Sequence, residues 1–122
     1  MTALRVKIGN HWLTLSSLKE NKTDDSLNDH EKKAIQFCRA WLSDKQDFEF
    51  HTSGSTGTPK TIRFNREQLI SSARLTARAL HLQPGFTSLV CLDTDFIAGA
   101  MMVVRSLVTG MDMIIQAPSA IV

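Results

Sequence analysis

Residues 51–60 of this chain read His-Thr-Ser-Gly-Ser-Thr-Gly-Thr-Pro-Lys. The glycines at positions 54 and 57 allow the backbone to adopt positive φ angles and to approach an anion closely. Successive backbone N–H groups in such turns form concave anion sites. Further donors and a positive charge come from Thr52, Ser53, Ser55, Thr56, Thr58 and Lys60. This composition predicts a loop that binds a polyphosphate.

Two other interpretations of the loop were weighed. A Walker A loop requires a glycine directly before its lysine, and Pro59 occupies that position here. Proline has no N–H to donate and a φ fixed near about −65°, so it cannot replace a glycine whose backbone faces phosphates. A Gly/Ser-rich connector without a ligand is the second alternative, although connectors seldom need Pro-Lys directly after Ser-Thr-Gly. The first alternative is excluded and the second stays open.

Residues 52–60 resemble the nucleotide-binding signature of the adenylate-forming enzymes, which reads roughly T-S-G-[ST]-T-G-x-P-K. Every fixed position of that signature is matched, while Thr61 stands where glycine is commonest. The resemblance implies that Gly54 and Gly57 let the loop wrap around the phosphates. It also implies that Lys60 is catalytic, positioning the loop and stabilising the departing pyrophosphate. The hydroxyl groups implied to hold the β and γ phosphates belong to Thr52, Ser53, Ser55, Thr56 and Thr58.

Within that superfamily the chain is most similar to the o-succinylbenzoate–CoA ligases, the acyl-CoA synthetases of menaquinone synthesis. The residues behind this narrower resemblance lie at 50–53, 71–73 and 96–105. It implies that Phe96 and Gly99 bind the acyl substrate, with an aryl acid such as o-succinylbenzoate as the expected substrate. Many relatives carry proline at the position of Asp93 and a histidine or aromatic residue at that of Phe96. Core packing is an equally good interpretation of Phe96.

Two further side chains have both a functional and a structural interpretation. For His51, packing at a strand end is favoured over proton transfer, because the attacking group in adenylate formation is already a carboxylate and needs no base. Arg105 lies in an otherwise apolar helical stretch, where a buried arginine must be paired. It either reaches solvent or binds a substrate carboxylate, and the first is favoured.

Apolar periodicity predicts an α/β fold in which a sheet carries helices on its faces. A helix is expected at 29–44, with Asp29 as its N-cap and with Lys32 and Lys33 facing solvent. A second helix is expected at 65–82 and begins with a capping box of Asn65 and Gln68. A third is expected at 96–108 and ends at Gly110. Strands are expected at 4–8, 12–15, 48–50, 61–64, 88–92 and 113–115, and residues 16–29 are expected to form a surface loop.

The sequence also predicts which faces of these elements are buried and which are exposed. The helix at 65–82 should bury a stripe of Leu69, Ala73, Ala77 and Leu80. Its arginines, Arg66, Arg74 and Arg78, should form a solvated face. The strand at 88–92 should belong to a sheet covered on both faces. The strand at 113–115 should be an uncovered apolar edge, which would promote self-association of the chain.

Composition narrows the function classes. The chain has 122 residues, of which 43% are hydrophobic and 21% charged, as in a folded protein. A net charge of +2 gives no support for binding nucleic acid or an anionic membrane. Cys38 and Cys91 lie in apolar stretches, which indicates small buried side chains in a reduced compartment. With no signal peptide predicted at the N-terminus, the expected location is cytoplasmic.

The resemblance also implies that the chain is the N-terminal portion of the large domain of its parent enzyme. The expected organisation is a single partial domain, 1–122, in which 1–45 hold a hairpin and a helix and 46–122 hold the phosphate loop and a βαβ unit. ATP, magnesium and coenzyme A are the expected partners of the intact enzyme, with the metal ligands unknown, and this segment alone is expected to be inactive. A non-catalytic phosphate-binding module and an incomplete folding unit are the alternatives.

Overall fold

The computed structural model describes residues 5–9, 11–19, 27–52, 58 and 60–117. The strands are β1 (Arg5–Ile8), β2 (His11–Thr14), β3 (Asp47–Thr52), β4 (Lys60–Asn65), β5 (Thr87–Val90) and β6 (Asp112–Ile115). The helices are α1 (Leu15–Lys19), α2 (Asp29–Leu42), α3 (Arg66–Leu80) and α4 (Ile97–Thr109). The α/β class is confirmed. The helix α1 is a correction, because its buried Leu18 lies in a segment predicted to be a surface loop.

The larger sheet has four strands in the order β2-β1-β6-β5. The hairpin of β1 and β2 is antiparallel, whereas β6 pairs in parallel with both β1 and β5. The prediction that 113–115 form an uncovered edge is therefore wrong, since β6 lies in the interior of the sheet. A partner strand for β6 comes from the far end of the chain, through pairs such as Val6 with Met113.

A second, two-stranded sheet is formed by β3 and β4, which pair antiparallel from Asp47 opposite Asn65 to Thr52 opposite Lys60. Phe48 and Phe50 of this hairpin are buried, and the residues that alternate with them are exposed. Because side chains of a strand alternate between its two faces, one face of the hairpin packs inward and the other faces solvent.

Three helix ends show how local sequence sets the element boundaries. Asn65 accepts a hydrogen bond from the Gln68 N–H, and the Gln68 side chain accepts one from the Asn65 N–H, which confirms the predicted capping box of α3. Helix α2 begins with the same arrangement at Asn28 and Glu31, so the assignment of Asp29 as N-cap is wrong by one residue. Gly110 ends α4 with a φ of 83°, a conformation that glycine adopts at little cost.

The core consists of two clusters that share α4. Val103 packs with the larger sheet, α1 and α2, whereas Ala100, Met101 and Val104 pack with α3 and the hairpin of β3 and β4. The predicted stripe of α3 is confirmed for Leu69 and Ala73, which are buried. It is wrong for Leu80, which is 62% exposed, because α3 packs mainly through its first half.

Among the described residues, the larger sheet is covered on one face only. Val6, Val90, Met113 and Ile115 point into the core, whereas Leu89 on the other face is 51% exposed. The prediction that the strand at 88–92 is covered on both faces is therefore not met within the described residues. The exposed face carries Trp12, Lys7, Ile114 and Leu89, which are neighbours in register across all four strands.

Arg66 overturns the expectation of a solvated arginine face on α3. It is half-buried, and its guanidinium group donates to the backbone carbonyls of Trp41, Ser43 and Lys45. Arg74 and Arg78 of the same helix are exposed, as predicted. The sequence pattern placed all three residues on one helical face, but the first of them lies against the end of α2.

Candidate functional site

The two ends of the predicted phosphate loop are held together by the hairpin of β3 and β4. Thr52, the last residue of β3, lies opposite Lys60, the first residue of β4, and the Thr52 hydroxyl donates to the Lys60 carbonyl at 3.3 Å. Lys60 and Thr58 are exposed. Ser53, Gly54, Ser55, Thr56, Gly57 and Pro59 lie outside the described residues. The structure therefore fixes where the loop leaves and rejoins the protein.

The second candidate segment, 93–99, forms a compact turn in front of α4. The Asp95 N–H donates to a carboxylate oxygen of Asp93 at 2.8 Å, and the Phe96 N–H donates to the Asp93 carbonyl at 3.2 Å. Gly99 is buried beneath this turn, and a Cβ atom on it would meet the backbone of Asp93 and lie 2.7 Å from the Leu92 carbonyl oxygen. The absence of a side chain at Gly99 is what lets α4 approach the turn so closely.

Both segments meet at His51. Its N–H donates to the Asp95 carbonyl at 2.8 Å, and His51 and Phe96 form an isolated parallel bridge. Their rings stand edge to face with centroids 6.3 Å apart. The chain thus brings the beginning of the loop directly beside the turn that carries Phe96. His51 itself is exposed, which agrees with a place at the end of a strand.

Lys33 makes an ion-pair contact that the sequence did not predict. Its side chain is 42% exposed, as expected of a residue that faces solvent, and its ammonium group lies 3.2 Å from an Asp93 carboxylate oxygen and 2.9 Å from one of Asp95. These contacts, with the Asp95 hydrogen bond first, raise the pKa of Lys33. Burial acts to raise the pKa of Asp93, but the Asp95 N–H and Lys33 together outweigh it, so that pKa is lowered. Periodicity in α2 gave no signal for a contact 60 positions along the chain.

The remaining candidates have mixed surroundings. Phe96 is half-buried, between the core and the surface. Arg105 is also half-buried, and its Nε atom is buried without a hydrogen-bond partner among the described residues. Cys38 is buried in α2, where desolvation raises the pKa of its thiol to about 12, and Cys91 is half-buried. Neither cysteine lies in the loop or the turn.

A shallow depression of about 280 Å³ lies beside the turn, on the side of α2 and β3. Its lining includes Lys33, Phe37, Phe50, Thr94 and Asp95. The part of the chain that the structure describes holds no group of three or more His, Cys, Asp or Glu side chains that could bind a metal ion. Nor does it include a helix with the length and apolar character needed to span a membrane.

No protein-family model and no curated protein matches this chain. Solved structures do resemble it. An acyl-CoA synthetase (AMP-forming)/AMP-acid ligase II-like protein from Dyadobacter fermentans is 40% identical with a TM-score of 0.76, over 86% of this chain and 29% of that protein. The o-succinylbenzoate CoA synthetase of Bacillus subtilis, solved with a product analogue, is 25% identical with a TM-score of 0.53, over 63% and 16% of the respective chains. An inhibitor-bound N-terminal domain of FACL13 from Mycobacterium tuberculosis is 26% identical with a TM-score of 0.52, over 59% and 18%.

These likenesses define the fold of the chain. Its α/β fold matches the N-terminal part of the adenylate-forming enzyme fold. The structures of this kind that it resembles are AMP-forming acyl-CoA synthetases, and the o-succinylbenzoate enzyme is a more distant one among them. The chain spans less than a third of the length of the Dyadobacter protein.

Proposed function

We propose that this chain is the N-terminal segment, a single partial domain, of a cytoplasmic AMP-forming acid–CoA ligase. The observation that carries the proposal is the bridge between His51 and Phe96, because it joins the beginning of a polyphosphate-type loop to the turn that would line an acid pocket. The fold shared with an AMP-forming ligase at 40% identity supports the same conclusion. Activity, substrates and partners belong to the whole protein.

The proposed reaction has two steps. A carboxylate oxygen of the acid attacks the α-phosphorus of ATP, the bond to the β-phosphate oxygen breaks, and pyrophosphate leaves with that electron pair. The thiol of coenzyme A then displaces AMP from the acyl carbon, giving a thioester. Negative charge shifts onto the leaving pyrophosphate in the first step, so donors and cations aimed at it lower the barrier.

Within this proposal the loop residues 52–58 hold the β and γ phosphates through their hydroxyl and N–H groups. Lys60 stabilises the departing pyrophosphate, and its fixed place opposite Thr52 supports that role. Phe96 borders the acid and supplies an aromatic wall, and Gly99 contributes to the acid site through the close packing of α4 against the turn. Magnesium is proposed for the whole enzyme only, and we assign no ligand for it to this chain.

An aryl acid of the o-succinylbenzoate type is the proposed substrate. Its support is the half-buried aromatic side chain of Phe96 and the likeness to a solved o-succinylbenzoate CoA synthetase. Assaying the full-length protein with o-succinylbenzoate, benzoate and a medium-chain fatty acid, each with ATP and coenzyme A, tests it. We expect the highest kcat/KM for o-succinylbenzoate. A preference for the fatty acid would contradict the substrate while leaving the ligase reaction in place.

The ligase reaction itself is tested by isotope exchange between ATP and pyrophosphate in the full-length protein. We expect exchange that depends on added carboxylic acid and does not need coenzyme A, since the adenylate forms before the thioester. Tight binding of inorganic triphosphate without acid-dependent exchange would instead favour a non-catalytic phosphate-binding module.

A further inference from the structure

Lys33 of α2 bridges two carboxylates that belong to one turn. Its ammonium group contacts Asp93 and Asp95, two like charges separated by a single residue. All three side chains are partly exposed, and an isolated exposed ion pair is worth little. Here, however, one cation offsets the repulsion between two anions whose backbone is already folded into a hydrogen-bonded turn. The two ion pairs of Lys33 therefore stabilise the conformation of the turn.

That turn is connected to the proposed site at two points. The Asp95 carbonyl accepts from the His51 N–H, next to Thr52 and the phosphate loop. Phe96 follows directly as the N-cap of α4, and no side chain supplies a cap hydrogen bond there. The place of Phe96 is consequently set by the turn before it and by the packing of Gly99 against that turn.

We propose that Lys33 is a positioning residue that fixes the separation between the beginning of the phosphate loop and Phe96. The inference rests on the proposed function, in which the triphosphate lies at the loop and the acid lies beside Phe96. Lys33 touches neither. Replacing the Lys33 side chain leaves each substrate its own contacts but shifts the acid relative to the triphosphate. A shift of about 1 Å can lower the rate up to about a hundredfold.

Hydrogen–deuterium exchange in the full-length protein tests the structural part directly. Lys33→Met should accelerate exchange of peptides covering 48–52 and 93–97 by about threefold or more, because the Asp95 N–H and His51 N–H lose the support of the turn. Lys33→Arg keeps the charge and should stay near the wild-type rate. Lys32→Met removes the same charge from the neighbouring, exposed position and should change neither peptide.

Kinetics test the functional part on the same variants. For Lys33→Met we expect kcat to fall about tenfold while the KM values for ATP and acid change less than about twofold, with recovery in Lys33→Arg. A loss of stability alone would lower the unfolding temperature and would not lower kcat selectively while the KM values stay nearly unchanged. Asp95→Asn removes one of the two carboxylates and with it the repulsion that Lys33 offsets, so combining it with Lys33→Met should restore a large part of the kcat that Lys33→Met loses.

Unchanged exchange at 48–52 in Lys33→Met, or an equal acceleration in Lys32→Met, would overturn the proposal. Unchanged kcat despite faster exchange would overturn its functional half. If the wild-type protein forms no adenylate with any acid, the proposed function fails by itself, and the exchange data still decide whether Lys33 holds the turn. Should Lys33→Met not fold, Lys33→Gln, which also removes the charge, is measured in its place.

Discussion

Arg66 lies over the ring of Trp41, with its guanidinium carbon 4.2 Å from the ring centroid, and donates to the Trp41 carbonyl at 2.7 Å. The same side chain donates to the carbonyls of Ser43 and Lys45, in the segment where α2 ends. A cation at the C-terminus of a helix also interacts favourably with the helix dipole. Arg66 thus joins the end of α2 to the beginning of α3.

The first prediction concerns this contact. Arg66→Met should lower the free energy of unfolding by about 1–3 kcal/mol, the range for losing charge-assisted hydrogen bonds from a partly buried group. Urea unfolding of the chain, followed by tryptophan fluorescence, measures it. Arg74→Met on the exposed face of the same helix is the matched control and should change stability by less than about 0.5 kcal/mol. Equal effects of the two variants would contradict the prediction.

The second prediction concerns Gly99. A methyl group there meets the backbone of Asp93, which cannot swing away as a flexible side chain could. Overpacking costs about 1–3 kcal/mol, more than the roughly 1 kcal/mol gained from replacing glycine by alanine in a helix. Gly99→Ala should therefore reduce the unfolding free energy by up to about 2 kcal/mol. Ala98→Ser, at an exposed neighbouring position, should be close to neutral, and a stabilised Gly99→Ala protein would show that the turn can move.

How far the sequence predicts this structure depends on the range of the interaction. Asn65 with Gln68 and Gly110 determine helix ends through hydrogen bonds and backbone angles within a few residues, so these boundaries were predictable. The position of β6 between β1 and β5 was not, because an apolar run looks the same whichever strand it pairs with. Lys33 was missed for a related reason, since both of its partners lie on a different element.

The features of the candidate site also differ in whether they can be predicted from the sequence alone. The loop residues could be proposed from their types and spacing alone, and Thr52 and Lys60 do lie where the loop leaves and rejoins the hairpin. That the turn at 93–96 docks onto His51 required the tertiary structure, because the hydrogen bond joins two segments far apart in sequence.

The third prediction tests Lys60 in the full-length protein. Lys60→Ala should slow acid-dependent exchange between ATP and pyrophosphate by more than about tenfold, equivalent to about 1.4 kcal/mol of transition-state stabilisation. Lys32→Ala, an exposed lysine of α2, is the control for loss of positive charge alone. An unchanged rate in Lys60→Ala would remove this residue from the mechanism.

The fourth prediction concerns the two thiols. Cys38 is buried and its pKa is raised to about 12 by desolvation, so almost none of it is thiolate at pH 8. Cys91 is free and only half-buried. A disulfide reagent at pH 8 should therefore modify Cys91 well before Cys38 in the folded chain, and both after denaturation. In Cys91→Ala the fast phase should disappear, whereas a fast phase that survives there would mean that Cys38 is accessible.

The last prediction is that the 122-residue chain alone self-associates through the larger sheet. The reason expected from the sequence was wrong, because β6 is not an edge strand. Among the described strands, β5 lies at an edge of the sheet and carries Leu89, which is half exposed and lies in register with Ile114 on the face that no described element covers. An edge with unpaired backbone groups beside an apolar face favours pairing with another chain.

Light scattering after size exclusion should show oligomers that Leu89→Glu weakens, whereas Leu75→Glu, at an exposed leucine of α3, should leave them intact. A monodisperse monomer, or equal effects of both variants, would contradict association through this sheet.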